Sequence, residues 1–399
     1  MFDIIINLIV VILTVFISNV FLITLFLKRE GLFHDPKPKE YPDITIAVPA
    51  YNEEKNISRT LKCLLNLNYP KKINIIVIND ASKDKTADVV RKFPVKLIDK
   101  KKNEGKAKAL NDALKITKTK IFGFIDAETF MDKNALLYMV GYLDKKNVAA
   151  VTPSIYVMNP KNLIENLQNI EYAFSMMTKK LLTFLSCLYM TPGCAIYKTD
   201  ILKKVGGFDT NNISEDMEIG LKLNSFGYVV EDSLNAKVWT VAPDTIKKLL
   251  KQRIRWFRGT MHNLRKYKSM FGKSDIGLFA MPIILVAGMF TMLSYLFFLG
   301  LNIFNFVLNF FAFSLASVLS GFTVSTASIP VAQNILVTFA VFLLGVFVLN
   351  IYFSQKISGL PLFRNIKELL IFLLFYSPIL SLALIISIIK TITRREMKW

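Results

Sequence analysis

The apolar and polar positions of this chain fall into three regimes. Residues 4–27 are continuously apolar or small and end at Lys28-Arg29, a run long enough to cross a bilayer once. From Asp43 to about Lys145, short β-branched runs alternate with stretches of helical period, the pattern of a parallel α/β sheet. Strands are expected at 44–48, 73–78, 95–98 and 121–125. Each ends where polar residues begin, and ligands of open α/β sheets bind beyond the carboxyl ends of the strands. Asn52-Glu53, Asn79-Asp80 and Asp126-Ala127-Glu128 are therefore expected to line one crevice. The third regime opens at Ile276: the 80 residues to Gln355 contain no Asp, Glu, Lys or Arg, several times the ~20 residues that one crossing needs. Spans are expected near 278–299, 304–319, 336–353 and 369–389, with 321–333 a loop or a re-entrant piece around Pro330.

Between these regimes, apolar residues recur every three or four positions from Leu163 to Phe184, which fits either a core helix or an amphipathic helix on a membrane. A strand at 193–197 follows, then a short helix ended by Gly206-Gly207. Ser214-Glu215-Asp216 opens the next helix, which runs towards Gly227 and precedes short strands at 228–231 and 237–240. A carboxylate at a helix start meets unpaired backbone N–H groups, so capping accounts for part of that acidic signal. Asp244, after Pro243, is expected to cap a basic helix on which Gln252, Arg255, Trp256 and Gly259 share one face. That face offers an amide, a guanidinium that forks onto phosphate, an indole on which a sugar stacks and a glycine that permits close approach. It reads equally as a membrane-proximal helix whose Trp marks the interface.

Composition sharpens the division. With 399 residues, 53% of them apolar, the chain is too apolar for two soluble domains. The expected organisation is an N-terminal anchor over 1–30, a soluble domain over 43–245, a membrane-proximal basic helix over 246–275, about four spans over 276–391 and a basic tail over 392–399. The net charge of +20 collects in part at Lys28-Arg29 and from Lys390 to Lys398. This bias places the N-terminus outside and the following domain in the cytoplasm, so a multi-pass protein of the cell membrane is expected, with membrane lipids as partners. No nucleic-acid motif accompanies the charge, and no such partner is expected. Cys63, Cys187 and Cys194 show no disulfide or zinc spacing, and with only His34 and His262 a histidine base is not expected. The first strand-to-helix turn lacks the glycine pattern of a dinucleotide or P-loop site.

With these residues in order, the stretch from about Ile44 to Gly259 resembles the membrane-embedded family 2 glycosyltransferases, and within them the processive β-glycan synthases that make cellulose, chitin, hyaluronan and poly-N-acetylglucosamine. The resemblance implies a GT-A fold, an α/β nucleotide-diphospho-sugar transferase domain with flanking transmembrane α-helices, a UDP-sugar donor and a divalent cation, Mg or Mn. It implies that Pro49, Tyr51 and Glu53, in a Pro-x-Tyr-Asn-Glu stretch, hold the nucleoside together with Asp80, and that Lys106, in the run from Asn103, lies on the nucleotide side. The family's acidic turn reads Asp-Asp-Gly-Ser and its metal motif Asp-x-Asp. Here stand Asn79-Asp80-Ala81-Ser82 and Asp126-Ala127-Glu128, so Asp126 and Glu128 are the implied metal residues, with Asp126 also on the donor. Ser214-Glu215-Asp216 takes the place of Thr-Glu-Asp, which implies Asp216 as general base with Glu215 beside it. Gln252, Arg255 and Trp256 match Gln-x-x-Arg-Trp, with Gln252 and Trp256 at the acceptor end and Arg255 at the leaving diphosphate.

The chemistry agrees with this assignment, because a diphosphate leaving group needs cations and an attacking hydroxyl needs a carboxylate base. The expected reaction is an inverting displacement that builds a β-linked polysaccharide from a UDP-sugar, UDP-N-acetylglucosamine first and UDP-glucose second, coupled to export, with the growing glycan as acceptor. Two other readings stay open. One is transfer of a single sugar from a nucleotide donor to a lipid acceptor; the other is a catalytically silent membrane scaffold or transporter, kept open by Asn79 and Glu128.

Overall fold

β-Branched residues build the centre of the molecule. In the computed structural model, Ile44–Ala50 (β1), Ile73–Asn79 (β2), Lys96–Asp99 (β3) and Ile121–Ile125 (β4) pair in parallel in the order β3-β2-β1-β4. These are the strands that the period-two runs predict, with bounds shifted by at most two residues. Ile46, Val48, Val77 and Ile125 are at most 1% exposed, as strands covered on both faces require. One face is covered by α1 (Ile57–Leu65) through Ile57, Leu61 and Leu64, the other by α2 (Lys106–Ile116) through Ala107, Leu110 and Ala113. The structure describes residues 19–158, 160–285, 348–360 and 366–393, with isolated positions between 300 and 346. The expected anchor is thus described only from residue 19, and most of the expected spans and the tail beyond residue 393 lie outside the described residues.

Thr129–Met131 (β5), Val148–Val157 (β6), Cys194–Lys198 (β7) and Val229–Thr240 (β8) complete an eight-stranded sheet in the order β3-β2-β1-β4-β7-β6-β8-β5. Three of these strands depart from the sequence expectation. Neither β5 nor β6 is among the expected strands, and the apolar run of β6 is interrupted by Pro153. It sits at a register shift against β8, between the pairs Pro153–Ser233 and Ser154–Lys237, and a bulge tolerates a residue without an N–H. The same shift joins the two short strands expected at 228–231 and 237–240 into one. Bulge residues also seat the chain arriving from the N-terminal segment: Ser233 Oγ and Asn235 Nδ2 donate to the Asp35 carboxylate at 2.8 and 2.7 Å, and the Tyr142 hydroxyl donates to it at 2.9 Å. The proline segment that follows lies on the domain, where Lys39 N–H donates to Asp144 at 2.7 Å.

The apolar stripe from Leu163 is a helix, α3 (Leu163–Phe184), buried against the apolar terminal segments: Leu167 and Ile170 pack with Ile351 and Phe372, and Met177 and Leu181 with Phe21, each at most 8% exposed. It also buries two lysines. Lys179 pairs with Asp232 at 2.7 Å and Lys180 donates to the Asp232 carbonyl at 2.8 Å, the pairing that a buried cation demands.

Beyond α4 (Glu215–Ser225) runs the long basic helix α5 (Ile246–Lys266). Its cap is Thr245 and not Asp244: residue 245 has the extended backbone of a cap, and its side chain accepts from Lys248 N–H at 3.4 Å, while Asp244 pairs with Lys248 Nζ at 2.8 Å. α5 presses on the start of α4. At Gly259 a Cβ would stand 1.8 Å from Ser214 Oγ, Asn263 Oδ1 accepts from Asn212 Nδ2 at 2.6 Å, and Glu218 accepts from Lys266 and Tyr267, each at 2.6 Å. α6 (Ser377–Ile392) also packs on α5, where Ser387 Oγ donates to the Ile254 carbonyl at 3.2 Å. It lies within Leu374–Ile392, the one described helical stretch long and apolar enough to cross a membrane, with mean hydropathy 1.8. Because overpacking a fixed contact costs about 1–3 kcal/mol, Gly259→Ala is expected to lower the melting temperature measured by circular dichroism; an unchanged midpoint would mean that Ser214 yields freely.

Candidate active site

Five carboxylates and one ammonium gather where β1 and β4 end. Asp126 follows β4, and its N–H donates to the Gly193 carbonyl at 2.9 Å. Lys106 opens α2 directly after Gly105, whose φ of 90° suits glycine. Its Nζ lies 2.5 Å from Asp126 Oδ1 and 2.9 Å from Glu215 Oε1. Glu215 and Asp216 occupy the first turn of α4. Thr191 pins that turn by donating from N–H and Oγ to the Asp216 carbonyl at 2.9 and 3.0 Å.

Charge crowding sets the protonation of this group. Burial, then the neighbouring Glu215, raises the Asp216 carboxyl to about 6 against the pull of Lys106 and Arg255. Burial, then Glu53 and Asp126, raises Glu128 to about 7, and Glu53 is raised by burial as well. Burial opposes the Lys106 charge, yet Asp126, Glu215 and Asp216 push its pKa above the ordinary lysine value. A surplus of half-buried carboxylate oxygen is the donor chemistry of a hard divalent cation. Among the described residues no three Asp, Glu, His or Cys side chains form one metal group. Asp126 and Glu128, two carboxylates close enough for one to raise the other, fit a cation of the Mg type, held by one or two carboxylates and completed by substrate phosphate.

The residues expected on the nucleoside side separate into two groups. Pro49 lies within β1, Tyr51 is 45% exposed at the crevice mouth, and Glu53 accepts from Asn56 Nδ2 at 3.0 Å. Asp80 is instead 4% exposed and turned towards the chain itself. It accepts from Gly105 N–H at 2.7 Å and Glu104 N–H at 3.1 Å and pairs with Lys100 at 2.7 Å, so it shapes the loop that delivers Lys106. Asn79 donates from Nδ2 to Asp99 Oδ1 at 2.7 Å, where a carboxylate would meet a second carboxylate. Ala81 takes φ 59°, the left-handed region that a glycine adopts without strain.

On α5, Arg255 is exposed and near enough to Glu128 and Asp216 to lower both. Gln252 and Trp256 meet a residue that the sequence reading passed over. Arg253 is 2% exposed, donates to Gln252 Oε1 at 2.8 Å and lies 4.0 Å from the Trp256 ring centroid. It pairs with Glu171 of α3. Its spacing four residues after the buried Leu249 was the available signal, since that places it on the apolar side of α5. Tyr172, also unmarked, stands near Arg253 and Glu128, with burial pushing its phenol up to about 12.

Residues 45–206 match glycosyl transferase family 2. The chain is 33% identical over 232 residues to a poly-beta-1,6-N-acetyl-D-glucosamine synthase of Staphylococcus epidermidis, covering 54% of each chain. It is 33% identical over 248 residues to the probable glycosyltransferase YdaM of Bacillus subtilis, covering 59% of each. The chain spans about half the length of the curated relatives it matches. The solved mannosyltransferase PcManGT of Pyrobaculum calidifontis, in complex with GDP-Man and Mn2+, superimposes with a TM-score of 0.62 at 19% identity, over 97% of this chain and 99% of that one. That likeness is one of fold. With carboxylates and basic residues gathered at the strand ends, the chain carries a match to glycosyl transferase family 2 over residues 45–206 within a GT-A-like α/β fold.

Proposed function

We propose that this chain is a glycosyltransferase that polymerises a β-linked polysaccharide at the membrane from a UDP-sugar, with UDP-N-acetylglucosamine as donor, by a single inverting displacement. The observation that carries the reading is the placement of Asp216, a half-buried carboxylate raised to about 6, beside the cations Lys106 and Arg255. The similarity to a poly-beta-1,6-N-acetyl-D-glucosamine synthase supports the donor and the product class.

In this reading an acceptor hydroxyl attacks the anomeric carbon as the bond to the diphosphate breaks, so an α-linked donor gives a β-linkage. Asp216 takes the hydroxyl proton, with Glu215 holding Lys106 beside it. Lys106 and Arg255 offset the charge that develops on the departing UDP. Asp126 and Glu128 would hold Mg or Mn, which when bound neutralises charge on the diphosphate. Pro49, Tyr51 and Glu53 border the nucleoside, and Asp80 acts through the loop it anchors. Gln252 and Trp256 border the acceptor, where the indole offers a stacking surface to a sugar ring. The apolar segments on both sides form a multi-pass membrane region, with the catalytic domain over 43–245 on the cytoplasmic side and the C-terminal spans as the export path.

Purified full-length protein in detergent, given labelled UDP-N-acetylglucosamine with Mg or Mn, is expected to yield long, polydisperse product that Asp216→Asn does not make while still binding UDP. A product one sugar long on a lipid would replace polymerisation by single transfer. No product from any nucleotide sugar, with UDP bound, would mean a silent scaffold.

The pH dependence follows from the raised carboxyl. Asp216 works deprotonated, so kcat/KM is expected to rise about tenfold per pH unit below about 6 and to level above it. The folded state binds this proton more tightly than the unfolded chain, so the group's contribution to stability is present at low pH and lost as pH rises through about 6. Asp216→Asn is therefore expected to melt higher than the wild type above about pH 7 while losing transfer; a lower midpoint in thermal scans would contradict the burial argument.

A further inference from the structure

Arg253 takes no part in the chemistry above, yet it touches both residues placed at the acceptor end. Its Nη1 donates to Gln252 Oε1 at 2.8 Å, and its guanidinium carbon lies 4.0 Å from the Trp256 ring centroid. Nη2 donates to Glu171 of α3 and, at 3.3 Å, to the Tyr376 hydroxyl, which itself donates to Glu171 at 2.6 Å. Tyr376 lies in the apolar stretch Leu374–Ile392, and it is buried among Leu249, Ile170, Phe372 and Leu380. One guanidinium thus joins three separate helical segments. Its planar fork serves Gln252 and Glu171 at once while its face covers the indole, a set of contacts that an ammonium cannot reproduce.

We propose that Arg253 is a positioning residue that fixes the Gln252 amide and the Trp256 indole against the C-terminal apolar helix, so that the placement of this helix sets the acceptor end of the site. The proposal rests on the reading of Gln252 and Trp256 as acceptor-bordering residues. With Oε1 committed to Arg253, Gln252 has only its N–H donors left for a sugar hydroxyl. With the guanidinium over the ring, Trp256 keeps 36% of its surface exposed for stacking. Removing the Tyr376 hydroxyl takes away one hydrogen bond from each of Arg253 and Glu171 without touching either acceptor-end residue.

The test uses full-length protein carrying Trp239→Phe and Trp399→Phe, so that Trp256 is the one remaining tryptophan. Tyr376→Phe and Arg253→Lys are compared with this parent in three measurements. These are acrylamide quenching of Trp256, UDP binding in the presence of Mn, and the concentration dependence of transfer to a β-1,6-linked N-acetylglucosamine tetramer. Tyr376→Phe is expected to increase quenching and to raise the tetramer KM about tenfold at unchanged UDP affinity, because hydrogen bonds to charged groups have been lost. Arg253→Lys is expected to change both quantities further in the same direction. Unchanged quenching and KM in both variants would overturn the proposal. So would a fall in UDP affinity in step with them, which marks general damage to the fold. Increased quenching with an unmoved tetramer KM would support the hold of Arg253 on Trp256 and overturn the acceptor assignment instead.

Discussion

One ammonium holds together carboxylates that arrive from two separate parts of the chain. Lys106 stands at the first position of α2, the end at which a helix disfavours a cation. It stays there because Asp126, from the end of β4, and Glu215, from the start of α4, both lie within 3 Å of its Nζ. Without that charge the two strand and helix ends would repel each other at a distance where water is largely excluded. Burial first, and then the neighbouring carboxylates, raise Asp216 to about 6 and Glu128 to about 7. The site is therefore short of positive charge as it stands, and a cation or a basic side chain that approaches it gains from every one of these groups.

A second constraint fixes how far that group lies from the basic helix. Gly259 meets the Ser214 turn, and Arg255 lies four residues earlier, a rise of about 6 Å along α5. The distance between Asp216 and Arg255 is thus set by one turn of a single helix and not by a loop. Asn263 and Lys266 extend the same contact towards the C-terminal end of α5, where they bind Asn212 and Glu218. A helix clamped along one face and packed against α6 through Ser387 transmits displacement better than it absorbs it.

The sequence revealed the parts of this arrangement that depend on local pattern. Strands β1 to β4 announce themselves by period and composition, and the polar residues that end β1 and β4 converge as the rule for open sheets requires, whereas Asn79 and Asp80 at the end of β2 turn to Asp99 and the loop before α2. β6 was hidden because Pro153 argues against a central strand until its bulge partner on β8 is known. Lys179, Lys180 and Arg253 are not legible as buried charges from local pattern, because the residues that neutralise or receive them, Asp232 and Glu171, lie 53, 52 and 82 positions away. The shift of the α5 cap from Asp244 to Thr245 has the opposite origin. Both residues can cap, and only the backbone conformation at 245 decides between them.

Two departures from the family pattern kept a silent protein in view, and the structure treats them differently. Asn79 has a local cause: its amide faces Asp99, which in turn pairs with Arg91 at 2.5 Å, so an aspartate here would place two carboxylates in contact. That exchange concerns the sheet edge and leaves Asp80 and its loop in place. Among the described residues Glu128 has no such partner. It is raised first by burial and then by Glu53 and Asp126, and like-charge proximity of this kind is what a bound cation converts into attraction. Glu128, rather than Asn79, is therefore the residue on which the choice between an active and a silent site turns.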